Sequence, residues 1–145
     1  MKVQYADVVD WHWKADILCT NPMFHNRPRY DFALVQIDGN KCIFVQLICI
    51  FMITLNSKLY RLALVLPLDA PRSRANWLWD EQLCLTCVQA HSRSSAQVIP
   101  ADKIVRGGLL TKDGLSETEY LVIDVIDEDM WRRLKQVDIV TGSSL

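Results

Sequence analysis

The chain carries no Gly-rich phosphate loop, no Gly-x-Ser-x-Gly nucleophile elbow and no His-Glu-x-x-His helix. Each of those motifs holds a reactive or anion-binding group on a defined turn or helix face, so without them nucleotide, serine-hydrolase and zinc-protease chemistry have no sequence basis. Excess charge is missing too. Sixteen Lys and Arg against 17 Asp and Glu leave a net charge of −1, which gives no overall attraction to nucleic acid or to a membrane surface. No apolar run reaches the roughly 20 residues of a membrane span; the longest, Cys42 to Leu55, is interrupted by Gln46. Met1 to Asp7 offers no secretory apolar segment. The cysteines (Cys19, Cys42, Cys49, Cys84 and Cys87) are odd in number and irregularly spaced, which argues against a secreted disulfide framework. The expectation is an intracellular protein, the nucleus included, with reduced thiols. Internal repeats and low-complexity tracts are also absent.

What is present is a strand-rich pattern. With 145 residues, half of them hydrophobic, the chain suits one domain burying about two thirds of its unfolded surface. The block Asp31 to Asn40 is the strongest local signal: a β-rich run reaching Asp38-Gly39, where a type I′ turn needs positive φ at both central residues. Expected strands are Phe32–Ile37, Cys42–Ile53, Leu59–Leu66, Leu83–Ala90, Ile104–Leu110 and Tyr120–Ile126. The second has Ile43, Val45, Leu47 and Phe51 on one face and Phe44, Ile48, Ile50 and Met52 on the other, so it belongs inside a sheet covered on both sides. Pro67, lacking an N–H, is expected to end the third. Asp7 to Ile17 is a candidate short helix without a clean apolar stripe. A terminal helix follows Asp127, with Glu128 and Asp129 at its start and Arg132, Arg133 and Lys135 toward its end, as the helix dipole favours.

These elements predict a mainly β fold, a small partly open antiparallel barrel or bent sheet with a short C-terminal helix. Residues 1–30 form a mixed segment packing on or flanking it, 31–138 the barrel-like domain, and 139–145 a frayed tail. The expected core includes Phe44, Leu47, Ile48, Leu64, Leu109, Val122 and Trp131.

Four constellations bear on chemistry. Cys84-x-x-Cys87 with His91 has zinc-ligand spacing, but a strand would send the two thiols apart and a second ligand pair is missing; His12, Cys19 and His25 lie far off in sequence. Asp124, Asp127, Glu128 and Asp129 are carboxylates of the type that hold magnesium. The simpler account puts Asp124 on a strand, Asp127 on the helix as its cap and Asp129 out in solvent. Trp11, Trp13, Trp77 and Trp79 suit base stacking or an aromatic cage, or ordinary core and interface filling. Arg27, Arg29, Arg72, Arg74 and Arg93 fall in predicted loops and, if those loops converge, make a phosphate-binding face. No metal or cofactor is expected, and no small-molecule substrate.

The ordered blocks Pro28-Arg29-Tyr30-Asp31, Ala63-Leu64-Val65-Leu66-Pro67-Leu68-Asp69-Ala70, Ile99-Pro100, Ile104-Val105-Arg106-Gly107-Gly108-Leu109-Leu110 and Val122 to Met130 resemble the C-terminal region of Plavaka-type transposon proteins of mushroom-forming fungi. The resemblance spans roughly residues 28–135. It implies a β-rich accessory region without assigned chemistry, downstream of a transposase core; a bromo-adjacent-homology module is a more distant structural analogy. The family pattern has arginines where this chain has Cys84 and Cys87, and a basic loop around Trp77 and Trp79. Arg to Cys and Arg to Trp are each single C-to-T changes, so the resemblance also implies a decaying copy. The functional expectation is a non-enzymatic interaction module. The alternative is a nucleic-acid- or chromatin-binding barrel using Arg27, Arg29, Arg72, Arg74, Arg93, Trp77 and Trp79, and a magnesium-dependent nuclease remnant stands third on its acids alone.

Overall fold

The structure, a computed structural model, describes residues 1–69, 85–114 and 116–139. It is mainly β, and the described strands do not close into a barrel. Two hairpins open the chain: β1 (Lys2–Ala6) with β2 (Trp13–Ile17), and β3 (Thr20–Phe24) with β4 (Arg27–Tyr30). The main sheet is built from β5 (Phe32–Asp38), β6 (Lys41–Leu55), β7 (Lys58–Asp69), β8 (Thr86–Ala90), β9 (Gln97–Pro100), β10 (Ile104–Gly108), β11 (Leu110–Lys112), β12 (Glu119–Val122) and β13 (Asp138–Ile139). Its order is β10-β5-β6-β7-β8-β12-β11, with β9 added to β7 and β13 laid parallel on β6. Among the described residues one α-helix, α1 (Glu128–Gln136), precedes β13. Strand pairing thus reaches Ile139, the first residue of the expected tail; the rest of that tail lies outside the described residues.

The base of β6 is covered on both faces, as its apolar pattern requires. On one side Ile43, Val45 and Leu47 pack with Val3, Leu18, Ala33, Val35, Val65, Ile99 and Ile104; on the other Phe44 packs with Leu34, Leu68, Val88, Leu110, Val122 and Met130. The first layer is closed by the β1–β2 hairpin and the second by α1 and β12. Gly107 and Gly108 let these layers close: a Cβ on Gly107 would lie 3.0 Å from Leu18 Cδ2, and one on Gly108 would lie 3.1 Å from the Phe44 ring. A bulge between Leu47 and Cys49 then reverses the alternation. Ile50 therefore joins the Ile43 side rather than the expected Phe44 side, and Ile48 is only half-buried.

Several expectations are corrected. Asp7 to Ile17 is not helical; it belongs to the β1–β2 hairpin, where Asp7 Oδ1 accepts from the Val9 N–H (2.7 Å) and fixes the turn. β7 runs through Pro67 to Asp69. The Pro67 carbonyl accepts from the His91 N–H, so the missing N–H faces His91 and spares the ladder to β6. The β5–β6 connection is Gly39-Asn40, flanked by the pair Asp38–Lys41, and among the two only Gly39 has positive φ (48°). Positive φ at both central residues occurs instead at His25-Asn26 and at Asn56-Ser57. The Tyr120 strand stops at Val122, and an Asp127 N–H to Asp124 C=O turn leaves Val125 and Ile126 exposed. In the expected core, Phe44, Leu47 and Val122 are fully buried and Leu64 is half-buried beside the bulge. Leu109 is 55 % exposed at the break between β10 and β11, and Trp131 is 41 % exposed, with the Lys135 ammonium 3.6 Å over its ring. Met130, one residue away, takes the buried side of α1.

Candidate functional site

The arginines and tryptophans expected to bind nucleic acid do not gather among the described residues. Arg27 and Arg29 lie on strand β4, not in a loop, because positive φ at His25 and Asn26 lets the chain reverse tightly there. Arg29 is already bound: Nε donates to Asp31 Oδ1 (2.8 Å) and the guanidinium lies 5.0 Å over the Phe24 ring. Arg93 is exposed in a 3₁₀ turn, Arg93–Ser95, against β7. Arg72, Arg74, Trp77, Trp79 and Cys84 lie outside the described residues. Trp11 and Trp13 are exposed on the first hairpin. His91 Nε2 is hydrogen-bonded to Asp69 Oδ2, and among the described residues no three His, Cys, Asp or Glu side chains cluster as a metal site requires.

The acids behave differently from expectation. Asp127 caps α1, accepting the Met130 N–H at 3.1 Å, but Asp129 does not point to solvent. It is buried with Arg106, and two of the four suspected acids, Asp127 and Asp129, converge on that guanidinium. Nη2 donates to Asp127 Oδ2 (2.6 Å), Nη1 to Asp129, and Nε sits 3.5 Å from Asp16 Oδ2. The Tyr5 ring stacks 4.3 Å from the Arg106 guanidinium carbon. Asp129 also accepts from Arg133 Nε (2.7 Å) and from the Val8 N–H (2.7 Å), and Arg133 reaches the Ala6 carbonyl. Burial opposes ionisation of Asp129, yet these donors outweigh it and hold its carboxyl below the ordinary range. The knot of Arg106 and Arg133 with Asp16, Asp127 and Asp129 ties the β1–β2 hairpin to α1. Asp124, beside it in sequence, is buried with Oδ1 unpartnered among the described residues, and burial raises its carboxyl above the ordinary range.

The unspent surface is elsewhere. β6 and β7 continue past the core as a two-stranded arm, paired from Met52–Arg61 out to Leu55–Lys58. Met52 (65 % exposed), Ile53, Leu55, Leu59 and Tyr60 stand in solvent along it. Beneath one face runs a groove of about 1520 Å³ lined by residues that include Val3, Leu18, Met52, Leu59 and Ala101. Met52 and Leu59 lie on one face of the arm and Ile53, Leu55 and Tyr60 on the other, and clustered exposed apolar side chains mark interaction sites. The sequence expectation of a strand covered along its whole length holds only as far as Leu47. Lys58 and Arg61, flanking Leu59 and Tyr60, were the available sign that this part of the hairpin meets water. The buried Arg106, set between valine and two glycines, gave no comparable signal. No helix among the described residues is long and apolar enough to cross a membrane. No family model, curated protein or solved structure matches the chain.

Proposed function

We propose that this chain is a non-enzymatic interaction module and that the β6–β7 arm is its contact surface. The observation that carries the reading is the apolar exposure on both faces of the arm, Met52 and Leu59 on one and Ile53, Leu55 and Tyr60 on the other, on a ribbon that stands out from a core already closed without it. Exposed apolar side chains on regular, well-paired strands are what a protein partner buries. The ordered blocks of residues 28–135 support an origin in the accessory region of a Plavaka-type transposon protein, with action inside the cell.

A photo-crosslinking residue at position 53, compared with one at position 132 on the outer side of α1, tests this in cells expressing the chain. A discrete protein adduct from position 53 alone is expected. No adduct from position 53, or equal adducts from both, would overturn the reading. Salt-sensitive DNA binding that is lost with Arg27→Ala and Arg93→Ala would also overturn it, in favour of the nucleic-acid-binding alternative.

A further inference from the structure

We infer that the partner of the arm is the same arm of a second copy, joined edge to edge through β6 about a twofold axis centred on Met52. The inference rests on the interaction-module reading and names its partner. The two edges of the arm are unequal. The β7 edge carries Lys58 and Arg61 and is covered by β9 from Leu62 onward. The β6 edge from Ile48 to Leu55 has no charge and no proline, and no described strand pairs with it beyond Gln46. Lysine and proline are the usual devices that keep an edge strand from recruiting another chain, so one edge is guarded and the other open.

The hairpin geometry fixes which groups the open edge presents. Asn56-Ser57 is a two-residue turn, so Leu55 and Lys58 are the hydrogen-bonded pair that closes it. Hydrogen-bonded and non-bonded pairs then alternate. Ile53–Tyr60 and Phe51–Leu62 bond across the arm, whereas Ile50, Met52 and Thr54 direct their N–H and C=O groups outward. An antiparallel match of this edge with itself sets Met52 against Met52 and Ile50 against Thr54 of the second copy, satisfying the outward groups of all three residues. Eight edge residues span about 26 Å, and a sheet edge about 10 Å thick buries about 260 Å² per partner. That is well under the roughly 800 Å² per partner of a stable complex, so the pairing is reversible and in the micromolar range or weaker.

Sedimentation velocity of the whole chain from about 1 to 500 μM, with reductant present because Cys49 is exposed, tests the pairing. The expected result is a concentration-dependent monomer–dimer equilibrium. Met52→Lys and Met52→Glu each place like charges face to face on the axis and should weaken dimerisation about fivefold or more, while a 1:1 mixture of the two restores it. Thr54→Pro removes an outward N–H without touching the arm's own ladder and should leave a folded monomer, checked by an unchanged circular-dichroism spectrum. A chain that stays monomeric throughout overturns the inference. So does a dimer indifferent to Met52→Lys, or a charge-swapped mixture no tighter than its components. If position 53 still yields an adduct with another protein, self-pairing alone has failed; if it yields none, the interaction reading has failed with it.

Discussion

Replacing Arg106 by Met should unfold the chain more readily than any single change on its surface. Methionine keeps most of the side-chain volume, so the effect isolates the lost charge from a new cavity. Arg106 is 5 % and Asp129 2 % exposed at the side chain, and removing one partner of a buried pair typically costs about 3–5 kcal/mol. Two features place the expectation at the lower end. Asp129 keeps Arg133 and the Val8 N–H, and Asp127, 38 % exposed, regains water once released. A loss of about 3 kcal/mol follows, or a fall in Tm of about 6–12 °C for a domain of this size. Equilibrium urea unfolding at pH 7 measures it, with Arg132→Ala as the control, because Arg132 pairs with an exposed Glu128 and should change stability by less than about 0.5 kcal/mol. Asp129→Asn supplies the second arm of a double-mutant cycle, and the paired changes should fall short of additivity by about 1–2 kcal/mol. A loss below about 1 kcal/mol for Arg106→Met, or strict additivity in the cycle, would show that the knot is a bystander to stability.

Leu47→Ala should cost about 2–5 kcal/mol in the same assay, whereas Leu109→Ala, at an exposed position, should stay within about 0.5 kcal/mol; equal losses would refute the burial pattern. Asp124 tests the pH dependence. Its carboxyl titrates higher folded than unfolded, so it favours folding below about pH 4, and that contribution disappears as pH rises through the folded value. Asp124→Asn, which mimics the protonated form, should therefore raise Tm at pH 7 and leave it nearly unchanged at pH 3; a gain that is equal at both pH values, or none, refutes the assignment.

The strand content was legible because β-branched and aromatic residues alternate with polar ones, and Cys42 to Leu47 showed itself as central by being apolar on both faces. What the sequence concealed has definite causes. The bulge at Ile48 inserts one residue without changing composition, so every face assignment beyond it inverted. Asn56-Ser57 and His25-Asn26 turn with positive φ but no glycine, so they read as ordinary polar residues. Trp131 and Met130 are adjacent on one helix, and composition cannot choose which of two large apolar neighbours faces inward. Asp129 matched a solvent-facing N-terminal acid because its partners, Val8, Arg106 and Arg133, include two that are distant in the chain. Arg27 and Arg29 were legible as basic but not as strand residues, and Arg29 not as already answered by Asp31 and Phe24.

Val8 and Asp129 are 121 residues apart, yet one hydrogen bond joins them. At about 5–20 residues per second of synthesis, the first hairpin waits about 6–24 s on the ribosome before its acceptor is made. Through that interval Tyr5 and Asp16 have Arg106 only late and α1 not at all, and the layer closed by Met130 stays open to water. The helix α1 is therefore the last of these layers to form, and the first hairpin gains its tether only then. A chain that has not yet reached α1 holds that hairpin loosely and leaves Phe44 uncovered, whereas α1, once made, fixes the one and covers the other.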